Sequence, residues 1–214
     1  MPGAPNPRAS RTAAPAPELT KGEPDAPLRL DVWSPIVALA GQEIVNPEIG
    51  ERMRFIQTAA DTQGALLETE QWLAPGGAVA IRHVHPEQEE RFTILSGSLQ
   101  MEVGRGETIL GAGDSVTIAP GVAHRFSNVG DTEVHFIGEV RPALRTEEMF
   151  EKMAAITRRE GATPDKHLGL LTTAPLFFHY RREVAVPVVP LGLQRAALAA
   201  LATLARALGR GNLP

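Results

Sequence analysis

The stretch RHVHPEQEERFTILSG, residues 82–97, carries two histidines followed by acidic and amide side chains and then an apolar segment. Side chains two residues apart on a β-strand point to the same side, so His83 and His85 are expected to project together. Pro86 follows at once and ends the hydrogen-bonded ladder of that strand, because proline has no N–H to donate. A new strand that begins at Glu90 then returns a carboxylate beside the two imidazoles. The stretch therefore predicts a polar site between two strands.

A second segment, GAGDSVTIAPGVAHRFSN, covers residues 111–128 and places His124 at the start of a strand, directly after a turn with proline and glycine. Three neutral imidazoles and one carboxylate are a complete protein ligand set for a divalent first-row metal ion. The chain has no cysteine, so nitrogen and oxygen atoms are the ligands available for such an ion. Only long-range folding can bring His124 to the residues of the first segment.

The surrounding sequence has the pattern of an all-β fold. From about residue 52 to residue 140, short stretches rich in Val, Ile, Phe and Thr alternate with clusters of Gly, Pro, Asp and Asn. Many short strands at close spacing predict a sandwich or a barrel. In the hairpin LQMEVGRGETIL, residues 99–110, glycine stands on each side of Arg105, where the chain needs a positive φ to reverse. With 214 residues and no internal repeat, we expect one core.

Both polar segments follow motifs with fixed spacing. The pattern G-x5-H-x-H-x4-E-x6-G is matched without a gap by Gly77, His83, His85, Glu90 and Gly97. The pattern G-x5-P-x-G-x2-H-x3-N is matched by Gly113, Gly121, His124 and Asn128. Ala119 stands where the second pattern has proline, and Pro120 follows it, so the departure affects the turn and not a ligand. With both motifs, the sequence resembles the cupin superfamily over about residues 50–140.

The resemblance implies an all-β jelly-roll β-barrel that usually forms a homodimer. It further implies that His83, His85, Glu90 and His124 hold one divalent first-row transition metal ion inside the barrel, and the motif positions select Glu90 rather than Glu89. The sequence does not choose among Mn, Fe, Co, Ni, Cu and Zn. The alternative is a metal-free barrel whose polar residues hydrogen-bond one another.

Cupins with this ligand set include dioxygenases, decarboxylases, isomerases and cyclases. The resemblance therefore implies a metal-dependent enzyme that acts on a small oxygenated organic substrate. Our leading hypothesis is a dioxygenase, an oxidoreductase in which Glu90 is also the catalytic proton acceptor. One alternative is a non-oxidative isomerase, cyclase or decarboxylase with the same site. The other is a small-molecule-binding cupin without turnover, although the segments after the barrel do not resemble a helix-turn-helix unit.

Five further residues are candidates for the wall of a substrate pocket: Arg54, Phe92, Met101, Phe126 and His135. Each of them either lines the pocket or fills the barrel, and the sequence does not separate the two roles. For His135, a structural role in its strand is the alternative to a contact with the substrate or with a metal ligand.

The chain divides into four parts by composition. Residues 1–28 contain seven prolines and no apolar run, which predicts a disordered arm rich in proline and alanine. Residues 29–50 are expected to pack against the barrel or a neighbouring subunit, and residues 51–141 form the predicted barrel. Residues 142–214 form a predicted C-terminal helical extension, whose first helix is capped by Thr146 and stops at Gly161.

The last predicted helix is amphipathic, with Arg195, Arg206 and Arg210 on one face and leucines that include Leu204 and Leu208 on another. It is expected to pack on its own domain or on a partner subunit, and the alternative is a weak contact with a membrane surface. The formal charge of −4 gives no electrostatic reason to expect nucleic acid as a partner. The absence of cysteine is compatible with a cytoplasmic protein, which we take as the expected location.

Overall fold

Two antiparallel β-sheets form most of the computed structural model, which describes residues 38–163, 167–187 and 191–208. The strands in these residues are β1 Glu43–Asn46, β2 Glu51–Gln57, β3 Leu67–Leu73, β4 Ala78–His83, β5 Glu89–Ser96, β6 Ser98–Val103, β7 Gly106–Gly111, β8 Ser115–Ile118, β9 His124–Ser127 and β10 Val134–Arg141. One sheet has the order β1-β2-β3-β10-β5-β8, and the other has the order β4-β9-β6-β7. The chain passes from one sheet to the other on entering β4, β5, β6, β8, β9 and β10, so the two sheets fold as one unit.

The strands form because apolar residues alternate with polar ones along them. In β10, Val134, Phe136 and Val140 are buried, whereas His135 and Glu139 between them are half-buried on the other side. Such a two-residue period places one face of the sheet on the core and the other toward solvent. The inward face of each strand is therefore defined by its sequence once the strand exists.

Side chains between the two sheets form the main hydrophobic core, which includes Phe92, Phe126 and Phe136. The ring centroids of Phe92 and Phe126, from opposite sheets, are 5.3 Å apart. The predicted all-β class is confirmed as two antiparallel sheets followed by helices, whereas closure of the predicted jelly-roll barrel is not seen among the described strands. The described strands form a two-sheet sandwich without a hydrogen-bonded ladder that joins the sheets. The edge strands β1 and β8 have four residues each, which limits the pairing that closure would require.

Gly97, the last residue of the first motif, makes the tight connection between β5 and β6 possible. Its φ is +78°, a conformation that other residues rarely adopt. A Cβ atom at this position would lie 2.8 Å from the Glu133 carbonyl oxygen and 3.0 Å from Val134 Cα. Both the backbone angle and the close approach of another chain segment therefore require glycine here.

Three helices follow the sheets in the described residues: α1 Thr146–Glu160, α2 Leu170–His179 and α3 Leu191–Ala207. The prediction that Thr146 caps α1 is wrong, because the N-cap residue is Arg145 and Thr146 is already helical. The Thr146 hydroxyl instead accepts a 2.8 Å hydrogen bond from the Gln88 side chain, which ties the helix to a loop of the β-sheets. The predicted end of α1 is confirmed, since Gly161 adopts a φ of 59° and donates its N–H to the Arg158 carbonyl.

The segment before β2 contributes a strand to the six-stranded sheet. The predicted disordered arm, residues 1–28, lies outside the described residues, and so does the packing segment up to residue 37. Within the rest of that segment, β1 pairs with β2, and Ile44 lies opposite Met53. Ala38 is buried in one cluster with Met53 and Phe55. Part of residues 29–50 thus extends the sheet.

The C-terminal helix α3 packs against α2, and Ala202 is buried in this contact region. Leu198 and Leu201 of the predicted apolar face are half-buried, whereas Leu204 and Leu208 are 49% and 58% exposed, so only part of the predicted face is packed. The side chain of Arg206 and the whole of Arg210 lie outside the described structure. No helix in the described part of the chain is long and apolar enough to cross a membrane. Homodimer formation and a membrane-surface contact stay predictions.

Candidate metal centre

Two of the predicted histidine ligands lie side by side at the end of the four-stranded sheet. His83 is the last residue of β4, His124 is the first residue of β9, and the two are direct cross-strand partners. Their ring centroids are 4.2 Å apart. His124 is fully buried, whereas His83 is half-buried. The cluster is therefore closed on the His124 side and accessible on the His83 side.

Glu90 reaches the same place from the six-stranded sheet. It shares the inward face of β5 with Phe92 and Ile94. Its Oε2 atom lies 2.9 Å from Nε2 of His124 and 3.4 Å from Nε2 of His85, which stands in the loop between β4 and β5. Potential ligand atoms of all four predicted residues lie within 4.8 Å of one another. The two distant motifs thus form one cluster between the sheets.

Main-chain carbonyl groups orient all three imidazole rings. The Nδ1 atom of each ring lies 2.6–3.0 Å from a carbonyl oxygen, and the pairs are His83 with Ile81, His124 with Val122, and His85 with Glu183. A carbonyl oxygen can only accept a hydrogen bond, so each Nδ1 carries the proton. In the neutral ring, the Nε2 atom then keeps its lone pair and is free to bind a cation.

The buried atoms at the centre of the cluster lack partners in hydrogen-bond geometry within the described structure. These atoms are Nε2 of His85, Nε2 of His124 and Oε2 of Glu90. Lone pairs of two imidazoles thus face a carboxylate oxygen, an arrangement that needs a proton or a cation between them. Three nitrogen atoms and one oxygen atom that converge in this way fit a divalent first-row transition metal ion.

The electrostatics of the cluster favour a neutral His83 and an ionised Glu90, as metal binding requires, but they also favour a proton on His85. Burial, followed by the neighbouring His124 and His85, lowers the pKa of His83 to about 4, so this ring is neutral at neutral pH. Burial opposes the ionisation of Glu90, but the neighbouring imidazoles of His85 and His124 outweigh it and hold the pKa of Glu90 below its usual range. Burial lowers the pKa of His85, yet the Glu90 carboxylate raises it by more. A metal ion would therefore compete with the proton that His85 binds more tightly beside Glu90.

Glu51 is a second buried carboxyl group, which the sequence reasoning missed. It is the first residue of β2 and shares the inward face of that strand with Met53 and Phe55. Burial, and secondly the negative charge of Glu90, raises the pKa of Glu51 to about 7. An acidic residue in register with two apolar inward residues was the available signal, since that spacing places it on the core side.

Three of the predicted pocket residues belong to the core between the sheets. Phe92, Met101 and Phe126 are 1%, 0% and 7% exposed and lie in one hydrophobic cluster. Phe92 lies two residues from Glu90 on the same inward face of β5, so the cluster forms the apolar floor below the candidate metal centre. A direct contact of these side chains with a substrate stays a prediction.

The other two predicted pocket residues, Arg54 and His135, lie on the outer face of the six-stranded sheet. The His135 ring stacks on Trp72 with centroids 4.9 Å apart, and its Nε2 atom lies 2.7 Å from Oε1 of Glu70. Arg54 forms an ion pair with the same Glu70. Glu90 points to the opposite face of the sheet, because side chains alternate along a strand. The structure therefore corrects the predicted position of both residues, which belong to a surface network.

The cluster lies within the part of the chain that resembles known proteins. The family model for the cupin domain matches residues 70–138, which include all four clustered residues. A search of curated proteins gave no match.

Several solved structures are similar to part of this chain at low sequence identity. A cupin-superfamily sugar phosphate isomerase from Silicibacter pomeroyi is 22% identical, with a TM-score of 0.40, and the match covers 44% of this chain and 61% of that protein. A predicted oxalate decarboxylase from Thermotoga maritima is 24% identical, with a TM-score of 0.43 and coverage of 48% and 92%. An RmlC-like cupin from Shewanella frigidimarina is 20% identical, with a TM-score of 0.43 and coverage of 53% and 96%.

The family match, the two motifs and the geometry of the four residues agree with one another. The matched segment runs from β3 to β10 and contains strands of both sheets, so it accounts for the β-sandwich as well as for the cluster. Residues 70–138 are therefore identified as a cupin domain, the part of the chain that belongs to the cupin superfamily.

Proposed function

We propose that this protein is a metal-dependent enzyme that acts on a small oxygenated organic substrate, and that the reaction is a dioxygen-dependent oxidation. His83, His85, Glu90 and His124 would hold one divalent first-row transition metal ion. The observation that supports the proposal is the convergence of imidazole Nε2 atoms on a buried carboxylate oxygen, at 2.9 Å for His124 and 3.4 Å for His85. In a core with only a structural role, these buried polar atoms would lack hydrogen-bond partners, which would destabilise the fold.

The residues around the cluster suit it for chemistry on a small molecule. A metal ion with four protein ligands would supply a Lewis acid with open positions for a substrate. Access from solvent is on the side of the half-buried His83, whereas the core below Glu90 excludes water. Glu90 is ionised and buried, so its Oε2 atom can accept a proton from a bound substrate.

A non-oxidative isomerase, cyclase or decarboxylase is the second candidate, and Glu51 favours it. Because its pKa is raised to about 7, the buried Glu51 carboxyl group is partly protonated at neutral pH. Glu90, whose negative charge helps to raise the pKa of Glu51, is ionised under the same conditions. A carboxyl group that is neutral and a carboxylate that is ionised at the same pH can act as acid and base without any oxidant.

Elemental analysis of purified, untagged protein tests the metal-binding part of the proposal. We expect about one equivalent of a first-row transition metal per chain in the wild type, and loss of this metal in His124→Ala. Metal at equal occupancy in both proteins would mean that it is bound elsewhere, and wild-type protein that takes up no first-row metal would refute the proposal.

Oxygen uptake separates the two reactions. Metal-loaded wild type and His124→Ala are compared in a screen of small hydroxy acids, enediols and diketones, first in air and then under strict anaerobiosis. Substrate-dependent oxygen uptake that His124→Ala loses supports the oxidation. Product formation that persists without oxygen supports the non-oxidative reaction, and saturable ligand binding without turnover in either condition would argue against an enzyme.

A further inference from the structure

The C-terminal extension contacts the loop that carries one of the four clustered residues. This loop runs from His85 to the start of β5, and residues from two separate parts of the extension touch it. Both parts, residues 142–146 and residues 182–185, lie beyond the segment that matches the cupin family model. The contacts are therefore a property of this chain's own extension.

His85 differs from the other two histidines in the origin of its orienting carbonyl group. His83 and His124 each bond to the carbonyl oxygen two residues earlier in the chain. The Nδ1 atom of His85 instead donates to the carbonyl oxygen of Glu183, 98 residues away, at 2.6 Å. Only folding of the extension onto the sheets can supply this bond.

The Glu183 carbonyl group is held in place by its neighbours. Val84 and Ala185 form an isolated antiparallel bridge, in which each N–H donates to the other residue's carbonyl oxygen, at 2.8 and 2.9 Å. The Glu183 N–H donates to the carbonyl oxygen of Tyr180, which is fully buried in the helical core. Residues on both sides of Glu183 are thus anchored, one to the strand before His85 and one to the helices.

A second contact fixes the middle of the same loop. Gln88 is fully buried, and its amide nitrogen lies within hydrogen-bond distance of the carbonyl oxygens of Pro142 and Ala143 and of the Thr146 hydroxyl, at 2.8, 3.0 and 2.8 Å. Gln88 stands two residues before Glu90, so the start of β5 is tied to the start of α1.

We infer that the C-terminal extension is part of the metal centre: the Glu183 carbonyl group fixes the tautomer and ring direction of His85, and Gln88 anchors the loop that leads to Glu90. Glu183 and Gln88 act as positioning residues. The consequence for metal affinity rests on the proposed function, whereas the tautomer of His85 is a property of the metal-free protein.

The first experiment measures the His85 tautomer in metal-free protein at alkaline pH by long-range proton–nitrogen correlation NMR. The variant Ala185→Pro removes the N–H that donates to Val84 and should release the Glu183 carbonyl group. Ala185→Gly keeps that N–H and is the matched control. We expect the Nδ1–H tautomer in wild type and Ala185→Gly, and a mixture of tautomers in Ala185→Pro. The same single tautomer in all three proteins would overturn the inference.

The second experiment titrates the same proteins with Co²⁺ and follows its visible absorption. Loss of a hydrogen bond that orients a metal ligand typically weakens binding about 10- to 100-fold, so we expect a loss of this size in Ala185→Pro and none in Ala185→Gly. Arg182→Gln, which removes an exposed ion pair with Glu87, is a control for changes at the surface of the extension. Equal affinity in all these proteins would contradict the inference.

If circular dichroism shows that Ala185→Pro does not fold, Gln88→Met replaces it. This variant keeps a similar side-chain length but loses the amide donors, and we expect at least a severalfold loss of Co²⁺ affinity, whereas unchanged affinity refutes the inference. Failure of the proposed function looks different: wild-type protein would then show the expected His85 tautomer but bind no Co²⁺.

Discussion

Glu51→Gln should stabilise the metal-free protein at alkaline pH and have little effect in acid. Glu51 is buried, and burial together with the charge of Glu90 moves its pKa from 4.5 to about 7. An acid whose pKa is raised in the folded state binds its proton more tightly there than in the unfolded chain. Its favourable contribution is complete below the unfolded value of 4.5 and is lost as the pH rises through about 7. Glutamine has a similar shape and never ionises, so it avoids this loss.

The size of the effect follows from the displacement of the pKa. A change from 4.5 to about 7 corresponds to about 3 kcal/mol between fully protonated and fully ionised Glu51. Relative to Glu51→Gln, the free energy of unfolding of the wild type should therefore fall by about 3 kcal/mol between acid and mildly alkaline pH. Such a difference is a substantial part of the total stability of a typical domain.

The assay is urea unfolding of chelator-treated protein at a series of pH values, with the difference between variant and wild type as the measured quantity. The matched control is Glu133→Gln at an exposed position, which should shift stability by only a few tenths of a kcal/mol at every pH. Parallel pH profiles of wild type and Glu51→Gln would refute the reasoning, because they would mean that the Glu51 carboxyl group is solvated in the folded protein.

Three further outcomes are expected. Gly97→Ala should lower the free energy of unfolding by roughly 2–5 kcal/mol, because a left-handed φ and a clash with the Glu133 carbonyl oxygen add together. The control Gly113→Ala, with a φ of +90° but open space around it, should lower it by about 1–2 kcal/mol. Equal losses in urea unfolding would contradict the close approach at Gly97. Zn²⁺ at about 100 times its dissociation constant should stabilise the wild type by about 2.7 kcal/mol, or roughly 5–10 °C in melting temperature, and His124→Ala should lose this gain in a thermal scan. Zn²⁺ affinity should fall as the pH falls, because protons compete with the metal ion at His85, whose pKa is raised. In titration calorimetry, a constant affinity from neutral to acid pH would argue against His85 as a ligand.

The sequence alone predicted the local features and the members of the cluster. Alternating apolar residues in strands such as β10 determine which face is buried, because the period of a strand is two residues. The spacing within each motif placed His83, His85, Glu90 and His124 as one set, and the structure brings their ligand atoms within 4.8 Å of one another. Metal binding at this set stays a prediction until an ion is measured.

Only the tertiary structure decided what stands around these four residues. Arg54 and His135 turn away from the cluster, Glu51 turns toward the core, and Glu183 reaches His85 across 98 residues of sequence. Contacts of this kind depend on which strands become neighbours and on where the extension docks. No local pattern encodes the contact of Glu183 with His85, because it arises when distant segments pack together and bury their surfaces. The sequence therefore specified the candidate ligands, and the packing of the whole chain specified their orientation and their surroundings.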